Sequence, residues 1–268
     1  METSDWPRTY DHAAENYLDI RERVAPFCLD EVVSELRLEP GDRVLDIACG
    51  PGGVALRAAQ QVGDGAVIGC DISEQMLRLA RLRAEELDVA NVTFEVADMN
   101  RLPYEPGTFD AVACSLGIFF AEDITAAFSS AWSLVKPGGR LAVATIARNM
   151  FAPVSNVFLD HAQAHLPDLA VDLPWWRTGD LFELRNLVRA AGLPDARVTH
   201  RDYQTRLLAL SDWWQFILGS GFRNVALRMD EAALVLVRTE VEEWLRANTI
   251  DSLATGINYV TCTRPDDH

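Results

Sequence analysis

The sequence predicts an α/β fold: a doubly wound, mostly parallel seven-stranded sheet with helices on both faces and a helical lid insertion late in the chain. Three observations carry this expectation. Apolar runs of strand length alternate with helix-length segments from residue 43 onward, a turn of the form G-x-G-G directly follows the first run, and the rhythm changes after residue 148. Alternation of this kind implies crossover connections, hence parallel strands covered on both faces.

RVLDIAC (43–49) reads as a strand, GGVALRAAQQV (52–62) as a helix, AVIGCDI (66–72) as a strand, and SEQMLRLARLRAEEL (73–87) as a helix with Ser73 as its N-cap. NVTFEVAD (91–98) and FDAVACS (109–115) read as strands, DITAAFSSAWSLV (123–135) as a helix, and GGRLAVATIA (138–147) as a strand. KPGG (136–139) reads as a lysine near a helix end followed by a Pro-Gly turn. Beyond residue 148, segments 178–192 and 210–248 look helical, the latter with a break near Gly219 and Gly221, and segments 196–207 and 252–264 look like strands. There is no repeat and no low-complexity tract, so one domain is the simplest organisation.

Composition narrows the partners. Forty acidic residues against 24 Lys and Arg give a net charge of −16. With no basic cluster, such a surface repels a phosphate backbone, which excludes nucleic acid as a partner. The longest apolar runs, such as AVACSLGIFFA (111–121), fall short of the roughly 18 residues that span a bilayer, so no membrane insertion is expected. The N-terminal segment is polar and acidic, unlike a targeting peptide. Five cysteines without a C-x-x-C pair read as small core residues in a reducing, cytoplasmic compartment, not as disulfides or a metal site.

A strand, a glycine turn and a helix can form a phosphate site. Here Asp46 stands at the strand end, where a carboxylate would repel a pyrophosphate by several kcal/mol and attract an ammonium group instead. The third glycine of G-x-G-x-x-G is also missing at its usual spacing, which argues against a nicotinamide dinucleotide. Asp71, 21 residues beyond Gly50, ends the second strand and can accept from both hydroxyls of a ribose. Ile72 can cover an adenine face, and Asp98 followed by Met99 repeats the pairing of an acceptor with an apolar flat. Any one such acid could equally be a solvated turn residue; three at successive strand ends make that reading weaker.

These residues resemble a known family, the class I S-adenosylmethionine-dependent methyltransferases, within them the group that includes the ubiquinone and menaquinone methyltransferases. LDIACGPGG looks like the first motif, acid-x-G-x-G-x-G, with Asp46, Ala48, Gly50 and Gly52 in its four positions. CDIS looks like the ribose-acid motif, VADMNRLPYEPGTFDAV like the adenine loop and fourth strand, and LVKPGGRLAVATI like the turn into the fifth strand. The resemblance covers residues 10 to 147 by motif and the remainder by layout. It implies a Rossmann-like sheet and S-adenosylmethionine as cofactor, with S-adenosylhomocysteine as its product. Asp46 would hold the ammonium end, Asp71 the ribose, and Asp98 with Met99 the adenine; Ile72, Met76 and Ser115 complete the expected cofactor contacts. Ala48 stands where many members have glycine and is expected to adopt an ordinary φ. YDHAAENY (10–17) resembles a capping helix in which Tyr10 or Tyr17 closes over the cofactor, although a helix packed on the sheet would read the same. On this reading residues 1–40 form cap helices, 41–148 the cofactor-binding core, 149–248 a substrate lid with late core elements, and 249–268 the final strand.

The chemistry above the cofactor is less marked. SLGIFF (115–120) is apolar where many relatives carry polar groups, so no family-wide base is evident there. His161 and His165, spaced i, i+4, share a helix face and are the base candidates, with a solvated or core role as the alternative. Phe119, Phe120 and the pairs Trp175–Trp176 and Trp213–Trp214 suggest an apolar or aromatic acceptor of modest size, because neighbours on a helix cannot both face its core. Arg223, beside the glycine break, would bind a carboxylate or pair with the acidic surface. The expected activity is methyl transfer to O, N or C of a secondary metabolite or quinone-like ring, possible as a homodimer. The alternative is a non-methylating reaction in the same fold, such as a cyclisation.

Overall fold

The computed structural model describes residues 26–169, 173–193 and 195–266, so Tyr10 and Tyr17 lie outside the described residues. Seven strands form one sheet: β1 (Arg43–Ile47), β2 (Ala66–Asp71), β3 (Val92–Val96), β4 (Phe109–Ser115), β5 (Val135–Ile146), β6 (Arg197–Arg206) and β7 (Ser252–Thr263). Their spatial order is β3-β2-β1-β4-β5-β7-β6. The first five run parallel, and β7 runs antiparallel between β5 and β6. The order therefore reverses between β1 and β4, which opens a crevice beyond their carboxyl ends.

Strand parity sorts the core into two layers. Val44, Ala111, Ala113, Ala142 and Ala144 face a cluster that includes the helices Pro26–Leu36, Gly53–Gln61, Val154–His165 and Glu231–Ala247. Leu45, Ile47, Val112, Cys114, Leu141 and Val143 face the other cluster, with the helices Ile124–Ser133 and Leu181–Ala190. The central strands can be apolar at every position because both faces are covered. The five cysteines are free and four of them are buried, Cys28 in the first layer and Cys70 and Cys114 in the second.

Helix starts follow from short acceptors placed before apolar-periodic runs. Ser73 Oγ accepts from Met76 N at 3.2 Å, Asp123 from Ala126 N at 3.0 Å, Asp180 from Phe182 N at 2.9 Å, and Asp230 from Ala233 N at 2.8 Å. Each satisfies a backbone donor that the helix itself leaves open.

One expectation changes. KPGG is not a bare turn: β5 begins at Val135, the register shifts between Phe109 and Ala111, and Lys136 Nζ pairs with Asp110 at 2.8 Å. After residue 148 the elements divide between the two layers: helix Leu181–Ala190 lies with Ile124–Ser133, whereas Val154–His165 and Glu231–Ala247 pack on each other in the opposite layer.

Ser73→Ala removes the cap of helix Glu74–Glu86 and is expected to cost about 1 kcal/mol. Urea unfolding should show a lower midpoint at an unchanged slope.

Candidate functional site

Asp46 lies on the same face of β1 as Val44 and therefore points at the layer containing helix Gly53–Gln61. Only 1% of it is exposed, and its Oδ2 accepts from Ala55 N at 2.9 Å. A strand-end carboxylate thus fills the N-terminus of the following helix, where an anionic ligand would otherwise sit. Among the described residues Oδ1 accepts no hydrogen bond. Burial pushes the Asp46 carboxyl up to about 8; the Ala55 N–H opposes this, and the charge of Asp71 adds to it.

The turn that follows departs from expectation at Ala48. Its φ is +53°, in the left-handed region, not an ordinary value. A side chain there costs on the order of 1–2 kcal/mol. The strain is paired with a close approach: a Cβ placed on Gly117 would meet the Ala48 Cβ at 2.5 Å. Leu116, just before Gly117, also has positive φ, at +59°. Both strained residues follow the strands that flank the switch point, a setting in which strain often accompanies function.

Asp71 ties two turns together. Its Oδ2 accepts from Gly50 N at 2.8 Å and its Oδ1 from Ser73 N at 2.9 Å. A carboxylate is an acceptor at both oxygens, in about four lone-pair directions, which is the chemistry that vicinal ligand hydroxyls require. Among the described residues, a Cβ on Gly50 would meet nothing within 4 Å. Gly52, at φ +79°, caps helix Gly53–Gln61.

The three acids form a staircase across the sheet. Asp46 is in register with Gly69, two residues before Asp71, and Asp71 is in register with Val96, two residues before Asp98. One strand across and two residues along is a step of about 8 Å. Ile72, 49% exposed, and the half-buried Met99 offer apolar surface at the second and third steps. Asp98 Oδ1 accepts from Asn100 N at 2.9 Å and from Asn100 Nδ2 at 2.8 Å. Two expected contacts are turned elsewhere. Met76 is buried on the inner face of its helix, and the Ser115 hydroxyl faces the Cys28 thiol under helix Pro26–Leu36.

Beyond β4 the chain enters an aromatic layer. Phe119 is buried, 4.7 Å from half-buried Phe120 and 6.5 Å from Trp175 between ring centroids. Trp175 packs edge-on against Phe222 at 5.2 Å, and Phe158 links that group to Trp213 at 6.3 Å. The expectation of one available tryptophan per pair fits Trp175 (1% exposed) and half-buried Trp176, but not Trp213 and Trp214, which are 0% and 8% exposed. Their short helix is enclosed: Phe158 covers both rings, and the Arg238 guanidinium lies over Trp214 at 5.2 Å. Arg223 donates to Leu218 O at 3.4 Å; its buried Nε has no partner, and among the described residues no carboxylate pairs with it.

His161 and His165 share a helix face with Val154 and Phe158, in steps of three and four residues. His161 Nδ1 meets Glu240 at 2.9 Å, and His165 is exposed at the helix end. The buried positions of the helix are Val154, Ser155, Phe158 and Ala162.

Arg177 went unnoticed in the sequence, although it is the only cation in PWWRT. Its fork donates to three backbone carbonyls beyond β4: Phe119 at 3.3 Å, Ala121 at 2.7 Å and Glu122 at 3.0 Å. The donor set as a whole suits a ligand with a cationic amine, vicinal hydroxyls and a flat apolar ring, and it is unsuited to a pyrophosphate.

A family model for a methyltransferase domain matches residues 44–139. The ubiquinone/menaquinone biosynthesis C-methyltransferase UbiE of Rhizobium leguminosarum bv. trifolii is 32% identical over 206 residues, covering 69% of this chain and 78% of that one. The demethylmenaquinone methyltransferase of Deinococcus radiodurans is 34% identical over 122 residues, 44% of this chain; the match spans only half (50%) of that relative's length. Among solved structures, the [4+2]-cyclase SpnF superposes with a TM-score of 0.55 at 23% identity, covering 90% of this chain and 81% of that one. That likeness speaks to the fold alone.

Gly117→Ala is expected to destabilise the protein, because its new Cβ collides with Ala48. Ala48→Gly should by itself stabilise by about 1 kcal/mol and should rescue much of the Gly117→Ala loss. A thermal-unfolding double-mutant cycle reads the coupling; additive effects would mean that the two positions do not meet.

Proposed function

Because the chain belongs to the class I S-adenosylmethionine-dependent methyltransferases, in the ubiquinone and menaquinone group, we propose that it methylates a small, largely apolar or aromatic acceptor and releases S-adenosylhomocysteine. The observation that carries this reading is the staircase of acids beside the glycine turn. When bound, the cofactor supplies an electrophilic methyl group on a positively charged sulfur. Asp46 holds the ammonium, Asp71 receives the ribose hydroxyls, and Ile72 with Met99 flanks the adenine, whose edge Asp98 faces. The five free thiols suit a reducing, cytoplasmic setting.

No titratable side chain occurs between Leu116 and Ala121. The protein's contribution there is to position the acceptor and exclude water, with Phe119, Phe120 and Trp176 as candidate lining. Orientation of this kind is worth about 7–11 kcal/mol when the geometry is productive. The acceptor then supplies its own activated nucleophile, as an electron-rich ring or a phenolate does. The same apolar stretch favours a second reading, in which the bound sulfonium only shapes a pocket for a cyclisation.

The deciding experiment incubates the protein with S-adenosylmethionine and a panel of quinone-like and phenolic acceptors, with mass spectrometry of both products. Acceptor-dependent S-adenosylhomocysteine supports methyl transfer. Conversion of an acceptor with the cofactor intact supports the second reading. Asp71→Ala, shown by circular dichroism to be folded, is expected to weaken cofactor binding by about 1–3 kcal/mol, and unchanged affinity would remove Asp71 from the site.

Binding should also move a proton. With its carboxyl raised to about 8, Asp46 is mostly protonated at pH 7 in the free protein. An adjacent ammonium favours the ionised form, so binding lowers that value and releases up to about one proton per ligand. Release should fade well above pH 8, where Asp46 is already ionised. Calorimetry in buffers of different ionisation enthalpy measures it, and Asp46→Asn should abolish it. A wild-type protein that binds at pH 7 without proton release would show that Asp46 does not meet the ammonium.

A further inference from the structure

We propose that Arg177 is a positioning residue that couples the adenine end of the cofactor site to the aromatic layer over the acceptor, so that cofactor binding tightens that layer. The inference rests on the cofactor assignment above, and it is carried by an unbroken run of hydrogen bonds. Asp98 Oδ1 accepts from both the backbone N and Nδ2 of Asn100, at 2.9 and 2.8 Å. Asn100 Oδ1 then accepts from Glu122 N at 3.0 Å. That bond fixes the amide orientation, because a flipped Asn100 would set two donors against each other. Glu122 O accepts from Arg177 Nη2 at 3.0 Å, while Nη1 holds Ala121 O at 2.7 Å and Phe119 O at 3.3 Å.

Arg177 belongs to the short 3-10 helix Pro174–Thr178 and is the direct neighbour of Trp176. The other side of that segment is fastened to the sheet. Asn258 Nδ2, on fully buried Asn258 of β7, donates to the carbonyls of Thr178 and Gly179 at 3.2 Å each, and the Thr178 hydroxyl meets that of Thr145 on β5. Trp175 and Trp176 are thus carried on a segment with one fixed anchor and one that depends on the turn at Asp98. The guanidinium has no carboxylate partner among the described residues. Its whole geometry is given to backbone carbonyls of the chain leaving β4, a planar fork that lysine cannot reproduce.

A ligand resting on Asp98 and Met99 restricts the Asn100 turn, keeps the Asn100 acceptor in front of Glu122 N, and so holds the three carbonyls in the arrangement that Arg177 grips. The effect is reciprocal: an acceptor that orders the tryptophan segment must tighten cofactor binding by the same factor. Couplings of this type usually amount to about 5- to 150-fold.

Hydrogen exchange of the full chain, with and without saturating S-adenosylhomocysteine, tests the inference without any acceptor. The amides of Trp176 and Gly179, bonded to Leu173 O and Trp176 O, report on the segment. In the wild type the ligand is expected to slow exchange over residues 173–179 by about fivefold or more. Arg177→Gln should bind the ligand and lose that slowing, and Arg177→Lys should lose most of it. Asn100→Ala, at an exposed position, should uncouple the segment while leaving Arg177 intact, and it decides the matter if the Arg177 variants do not fold. Ligand binding with no slowing in the wild type, or slowing that survives in Asn100→Ala, overturns the inference. Faster exchange in Arg177→Gln with the full ligand response retained would mark Arg177 as structural only and overturn it too. Calorimetry on the same samples separates the two levels: absence of S-adenosylhomocysteine binding defeats the methyltransferase reading, whereas binding without slowing defeats only the coupling.

Discussion

The bond from Ala55 N to the buried carboxylate of Asp46 joins two things that could otherwise vary independently. It docks helix Gly53–Gln61 against the end of β1, which sets the path of the glycine turn between them. It also decides the sign of the ligand, because the N-terminus of the helix is already occupied by an internal carboxyl group, which a cation favours in its ionised form. The burial that this arrangement requires makes the charge costly, which is why the Asp46 carboxyl is pushed up to about 8. A cationic group arriving in front of the turn relieves it, so the sheet carries a built-in demand for the ligand it is proposed to bind.

Around the switch point, rigidity comes from backbone groups held by side chains more than from paired charges. Asp71 grips Gly50 and Ser73, Arg177 grips three carbonyls, and Asn258 grips two more. Such bonds fix loops without requiring long flexible side chains to meet in solvent. The ion pairs of helix Pro26–Leu36 with the rest of the fold among the described residues, Asp30 with Arg57, Glu31 with Arg201 and Glu35 with Arg197, are substantially exposed and contribute little by comparison.

The core was legible in the sequence because each central strand is an apolar run bounded by a turn residue, a pattern that survives without knowledge of neighbours. The cap at Ser73 was legible for the same local reason. The features that the sequence did not disclose depend on distant partners. Nothing near Ala48 reveals its positive φ, which the structure sets against the glycine at position 117. The spacing of His161 and His165 predicts a shared face but not what meets it, and it is Glu240 that meets His161 from another helix. Trp213 and Trp214 obey the helical geometry that separates neighbours, yet both are buried because their helix is covered on two sides. Arg177 has no sequence signature, since its partners are main-chain oxygens about fifty-five residues earlier in the chain.

The staircase has a kinetic consequence. On the proposed reading, its three steps bind the amine, the ribose and the adenine, all of which leave the reaction as they entered it. Interactions equal in substrate, transition state and product set affinity but do not accelerate the chemical step. Asp46, Asp71 and Asp98 therefore hold the spent cofactor about as firmly as the fresh one, apart from the lost charge on sulfur. Such a site is open to inhibition by its own spent cofactor, and any rate acceleration has to arise in the aromatic layer, where the acceptor and the moving methyl group meet.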